Sequence, residues 1–130
     1  MELVAVEYLD LPSGSGQEHA LILFDWFSIG GSSSKEGVAQ VFTVSSGRLK
    51  VTQQFRWDEH FITNEPYHRY DPQAKTLIVR SAHYLPGDAH CCVSAMDVVT
   101  LRWNESRFDQ MGVKTELSEN GKKEGKALQD

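Results

Sequence analysis

The segment His83-Tyr84-Leu85-Pro86-Gly87-Asp88-Ala89-His90-Cys91-Cys92 carries the most concentrated set of reactive side chains in this sequence of 130 residues. If Asp88 to Cys92 is extended, Asp88, His90 and Cys92 point to one side and Ala89 and Cys91 to the other. A carboxylate, an imidazole and a thiol on one face are the residue types of a Cys-His-Asp nucleophile, or of part of a transition-metal site. The spacing opposes the first of these. Same-face neighbours on a strand stand about 6.6–7 Å apart, whereas a thiol sharing its proton with imidazole needs about 2.6–3.2 Å. A plainer role suits the same residues: Asp88 closes a turn, one cysteine fills a small space in the core, and His90 is hydrogen-bonded at its rim.

Other candidates are weaker. His60, His68 and Asp71 would join His90 from across the fold if a metal shell were completed, but their spacing matches no zinc signature, and exposed loop histidines are the expectation. His19, beside Glu18, reads the same way. Asp10-Leu11-Pro12-Ser13-Gly14-Ser15-Gly16-Gln17-Glu18 has the rhythm of a calcium loop. Its inner positions are the neutral hydroxyls of Ser13 and Ser15, where a hard cation wants carboxylates, so a glycine turn is expected. Trp26, Trp57 and Trp103 each close a strand pattern and read as core packing rather than a carbohydrate platform. Cys91 and Cys92 are the chain's two cysteines. Their Cα atoms, about 3.8 Å apart, fall short of the usual 4.4–6.8 Å disulfide span, so no ordinary staple is expected.

The elements that must position these groups are strands. Val4, Val6 and Tyr8 alternate before a turn-rich stretch from Asp10 to Gly16, and Ala20 to Phe27 is a near-continuous apolar run of strand length, expected to be buried on both faces. Val38 to Val44 leads through Ser45-Ser46-Gly47 into Arg48 to Trp57, a hairpin pattern. On its returning strand Leu49, Val51, Gln53 and Phe55 would share one face. Asp58 to Asp71 reads as irregular, Thr76 to Ser81 as a strand, Leu85 to Asp88 as a turn, and Val93 to Trp103 as a strand closed by Asn104-Glu105-Ser106. Six or seven strands with almost no helical stripe predict a mainly β, single antiparallel-sheet domain, sandwich-like or strongly curved. It would span residues 1–111, followed by a charged, disordered tail over 112–130.

Composition bounds the function. The chain holds 13 basic against 18 acidic residues, a net charge of −5. Residues 1–111 hold 9 basic against 14 acidic, so the acidity belongs to the expected domain. Binding driven by phosphate neutralisation needs clustered Lys or Arg, so nucleic acid is excluded as the expected partner. No apolar run reaches the ~20 residues of a membrane-spanning helix. The N-terminal residues lack a signal-peptide pattern, which fits a cytoplasmic chain or one whose signal has been removed. An exposed sheet edge would permit a homo-oligomer.

Asp10-Leu11 through Ser15-Gly16, Glu18, Ala20 to Leu23, the late Tyr84-Leu85-Pro86-Gly87-Asp88-Ala89-His90-Cys91-Cys92-Val93-Ser94, and Arg102-Trp103-Asn104 together resemble a group of bacterial envelope or secreted proteins that includes the LppP/LprE-type lipoproteins. The likeness runs from about Val6 to Gln110, and the Asp-Ala-His-Cys-Cys segment is its specific part. Members typically read Asp-Leu-Asn-Gly-Asp-Gly at the first turn, and this chain lacks the inner carboxylate. Members also tend to read Cys-Cys-Pro-Ser, with a further cysteine near the end of the long apolar strand. Here Val93 stands for the proline and Phe24 to Ile29 holds no cysteine, which would leave both thiols without that partner. The resemblance implies an extracytoplasmic β-rich module and carries over no catalytic residue. The resulting expectation is a non-enzymatic envelope-associated binding module without a cofactor. Its partner would be an envelope protein or cell-wall component, contacted through Asp88, His90, Cys91, Cys92, His60 and His68. The alternative is a metal- or thiol-dependent activity built on Asp88, His90 and Cys92.

Overall fold

Apolar residues recurring at every second position build strands that bury one face each, and two such faces close on one another. The computed structural model describes residues 2–12, 18–27, 35–89 and 92–128. Strands β1 (Glu2–Leu11), β2 (His19–Phe27), β3 (Lys35–Ser45) and β4 (Arg48–Asp58) form one antiparallel sheet in chain order. Strands β5 (His68–Asp71), β6 (Thr76–His83), β7 (Ala95–Trp103) and β8 (Phe108–Leu117) form a second, followed by the short helix α1 (Glu119–Lys123). The mainly β, antiparallel expectation is therefore met, with eight strands among the described residues.

The inner faces meet in one core. Leu21, Leu23, Ala39, Val41 and Trp57 from the first sheet pack against Leu77, Val79, Leu101, Trp103 and Phe108 from the second. Burying each such side chain contributes roughly 1.5–3 kcal/mol. Trp57 and Trp103 are core residues, as their positions at strand ends suggested. β2 is buried more fully on one face than the other: Leu21 and Leu23 are inaccessible, while Ile22 and Phe24 on the opposite face are half-buried.

Three local features depart from the pattern read in the sequence. The β3–β4 hairpin turns on Ser46-Gly47, both with positive φ (53° and 72°), as the tight primed turns of hairpins require. Beyond it, a bulge shifts the register: Val41 pairs with Gln53, but Phe42 pairs with Val51, leaving Thr52 as the extra residue. The bulge divides the stripe Leu49, Val51, Gln53, Phe55. Gln53 and Phe55 face inward, while Leu49 and Val51 pair with Val44 and Phe42 on the outer face and are exposed.

Second, the stretch between β4 and β5 is not a loose loop. Phe61 and Tyr67 lie against Val93, Met96, Ala82 and Val98, forming a small second core on the far face of the second sheet. Tyr67 Oη donates to the Phe61 carbonyl, and the Arg80 amide donates to the Tyr67 carbonyl at 2.7 Å.

Third, the expected boundary after residue 111 falls inside β8, where 112–117 pair with β7. Ser118 is fully buried; its amide donates to Ser94 O and its Oγ to Val93 O, while Oγ also accepts from the Gly121 amide to cap α1. A Cβ on Gly121 would collide with Ser94 O, so the glycine is what lets this helix approach the sheet.

Candidate functional site

On the inner face of the first sheet, Asp25, Gly37 and Trp57 occupy one row across β2, β3 and β4. Asp25 continues the inward series Leu21, Leu23, and so carries a carboxylate to the end of the core. Gly37 has no side chain to block the row, and a Cβ there would overlap the indole of Trp57. The indole thus lies on β3, and its Nε1–H donates to Glu59 Oε2 at 2.8 Å. Glu59, just past β4, is 2% exposed and is held by its amide, which donates to the Lys35 carbonyl at 3.0 Å. From the second sheet, His68 at the start of β5 packs its ring on Trp57 at 5.5 Å and brings Nε2 to 3.3 Å from Asp25 Oδ2. One potential ligand atom from each of Asp25, Glu59 and His68 lies within 4.8 Å of the others.

The electrostatics of this trio follow from burial. Removal from water, reinforced by a hydrogen bond to Asp25 and by its negative charge, pushes the Glu59 carboxyl up to about 8, against the opposing Trp57 hydrogen bond and Lys35 charge. Burial also raises Asp25, but hydrogen bonds to His68 and Glu59 and the charges of His68 and Lys35 outweigh it and hold Asp25 below its usual value. Of the two carboxyl groups, Glu59 is therefore the one that keeps its proton more readily. Among the described residues, no other donor reaches Asp25 Oδ1 or Glu59 Oε1, and His68 Nδ1 is likewise buried without a partner. The same burial, followed by the charges of Glu59 and Asp25, raises the Tyr67 phenol.

His60 lies beside the trio but points elsewhere. Its Nδ1 and its amide bind Asp58 Oδ1, and its Nε2 accepts from the Lys35 amide at 3.2 Å, which fixes the tautomer with the proton on Nδ1. Both nitrogens are committed, so His60 supplies no ligand atom. Lys35, Glu36, Arg56, Trp57, Asp58, His60 and Ser81 line a shallow cleft of about 350 Å³ above it. Arg56 and Glu36 form an ion pair at 3.0 Å on its wall.

The segment that opened the sequence reading is described as far as Ala89 and again from Cys92. The Cys92 amide donates to the Ala89 carbonyl at 3.0 Å. Asp88 accepts from the amides of Leu85 and Ser94 and from Ser94 Oγ. The Ser94 hydroxyl and these amides hold its carboxyl below the usual range despite partial desolvation. Asp88 is therefore a turn anchor, as its plainer role proposed. Cys92 is disulfide-bonded. His90 and Cys91, like Ser13 and Ser15 of the first turn, lie outside the described residues.

Comparison with protein-family models, with curated proteins and with solved structures returned no match. The site therefore rests on its own geometry.

Two histidines expected at the surface are inside. His19 Nδ1 bonds Thr43 Oγ1 at 2.9 Å, with its ring edge-on to Trp103. His68 faces the buried carboxylates, while Asp71 turns away to cap the β5–β6 turn through the amides of Gln73 and Ala74. Asp25 and Glu59 were missed as candidates. For Asp25 the signal was present, since a carboxylate two residues beyond Leu21 and Leu23 on one face of a strand must enter the core. Glu59 had no such signal, because it lies beyond the end of β4, where strand alternation no longer assigns a face.

Proposed function

We propose that this chain is a non-catalytic, extracytoplasmic binding module of the cell envelope. Its recognition surface lies where the β4–β5 connection meets the β6–β7 connection. The observation that carries this reading is the contact between Tyr84 Oη and Asp58 Oδ2 at 3.3 Å. It joins the two chemically richest loops into one surface beside the Lys35–Arg56–Asp58 cleft. The cleft offers cations from Lys35 and Arg56 and carboxylates from Glu36 and Asp58, which suits a small polar ligand bearing both an amine and a carboxylate, as a cell-wall stem peptide does.

Three further points support the reading. Asp88, the acid most suited to catalysis by sequence, is saturated by its own turn. The disulfide at Cys92 fits an oxidising compartment. The net charge of −5 disfavours polyanionic partners.

Titration calorimetry with a synthetic stem peptide tests the proposal. Saturable one-to-one binding, weakened at least about tenfold by Arg56→Glu, corresponds to losing roughly 1.4 kcal/mol and supports it. No binding of the stem peptide, or binding indifferent to Arg56→Glu and Asp58→Ala, overturns it.

A further inference from the structure

We infer that Asp25, Glu59 and His68 form a binding site for a single divalent transition-metal ion of the zinc class. The inference is independent of the peptide-binding reading, because these side chains lie below the cleft rather than on its walls.

Three observations converge. The donor atoms come from three separate places, β2, the residue after β4, and the start of β5, so the fold rather than a local turn brings them together. The His68 Nε2 to Asp25 Oδ2 separation of 3.3 Å is the distance between two ligands of a tetrahedral ion with bonds of about 2.0–2.1 Å. The third donor lies within 4.8 Å of both. The second kind of evidence is Glu59 itself. It is 2% exposed, and among the described residues the one group that meets its second carboxyl oxygen is another carboxyl, that of Asp25. Buried polar atoms ordinarily find donors, so two buried carboxyls brought together beside an imidazole mark a place that a cation would satisfy.

The donor set selects the class of ion. Calcium takes six to eight oxygens and magnesium retains a largely aqueous octahedron, whereas two carboxylates and one imidazole suit zinc, with one position left for water or a ligand. The surroundings are those of a metal centre. Trp57 Nε1–H holds one Glu59 oxygen, and such outer contacts orient a ligand before the ion arrives. His60 is excluded by its contacts with Asp58 and Lys35, and Asp88 by its turn.

The test uses the full chain, stripped with chelator and titrated with zinc. The expected result is saturable uptake of one ion per chain, with a rise in melting temperature. Glu59→Gln and His68→Gln each weaken uptake at least about tenfold, comparable to the lower end of losses seen when supporting contacts alone are removed. His83→Gln, altering an exposed histidine that pairs with Asp97, leaves uptake unchanged. Nitrogen-detected imidazole spectra of the unmutated chain keep the test decisive if a variant fails to fold. On zinc addition the His68 ring nitrogens shift, while those of His19, His60 and His83 do not. Absence of one-to-one uptake, uptake by both ligand variants equal to that of the parent, or shifts centred on another histidine each overturn the assignment.

Discussion

Gly37 sits directly opposite both Asp25 and Trp57, and the missing side chain is what allows the indole to lie across β3. One backbone position thereby sets the direction of the Trp57 Nε1–H and, through it, the orientation of Glu59. Gly37→Ala is expected to force the ring out of its place. Overpacking of this kind costs about 1–3 kcal/mol. Urea denaturation followed by tryptophan fluorescence checks it. A variant as stable as the parent would show that the indole has room to move.

The raised Glu59 carboxyl makes stability fall as pH rises. In the unfolded chain this group ionises near 4.5, whereas in the fold it keeps its proton up to about 8. Its contribution is complete below 4.5, declines across the interval and is lost above about 8, with a slope of at most about 1.4 kcal/mol per pH unit. The lowered Asp25 acts in the opposite sense. Its contribution is present above its unfolded value of 3.8 and is lost only on acidification below it, outside this window. Denaturation midpoints measured in the absence of metal between pH 5 and pH 8 should therefore fall for the parent and stay flatter for Glu59→Gln. Parallel slopes for the two proteins would contradict the buried proton.

The pH behaviour rests on residues of unequal legibility in the sequence. Strands were readable where burial imposed a period of two, as in Leu77 and Val79, or where an apolar run had strand length, as from Ala20 to Phe27. The bulge at Thr52 was not, because one extra residue interrupts the period without changing composition. β5 was hidden because its four residues, His68 to Asp71, include a single core side chain, Tyr70. The end of β8 was hidden because Gln110 to Lys114 are exposed along the sheet edge, where charged residues look like those of a tail. The Asp25–Glu59–His68 trio joins residues up to 43 apart in sequence, and no local pattern encodes a meeting between two sheets.

A second long-range contact ties the sheets together at the level of the backbone. Gln53 Nε2 donates to the Phe108 carbonyl at 3.0 Å, and Gln53 Oε1 accepts from the Phe108 amide at 2.7 Å. One amide side chain in β4 thus satisfies both polar groups at the start of β8. Gln53→Leu keeps the approximate volume but leaves that donor and acceptor unpaired, at a cost of about 1–3 kcal/mol. Chemical denaturation is the measurement. A loss well below 1 kcal/mol would mean that water replaces the amide at this position.

Asp88 provides the opposite pH dependence from Glu59. Its carboxylate is held below 3.8 by Ser94 and Leu85, so the stability it contributes is fully present above that value and is lost as pH falls through the lower folded value. Asp88→Asn removes this acid-side loss and one of the oxygens that gather the three donors. It should weaken the β6–β7 turn by about 1 kcal/mol for each bond lost. Because Ser94 also accepts the Ser118 amide, loosening at Ser94 should reach α1. Amide hydrogen exchange distinguishes this route. Faster exchange is expected at Leu85, Ser94 and Ser118, with the β2 and β3 amides unchanged relative to global stability. Uniform acceleration across both sheets would instead mean that Asp88 acts on the whole fold and anchors no separate unit.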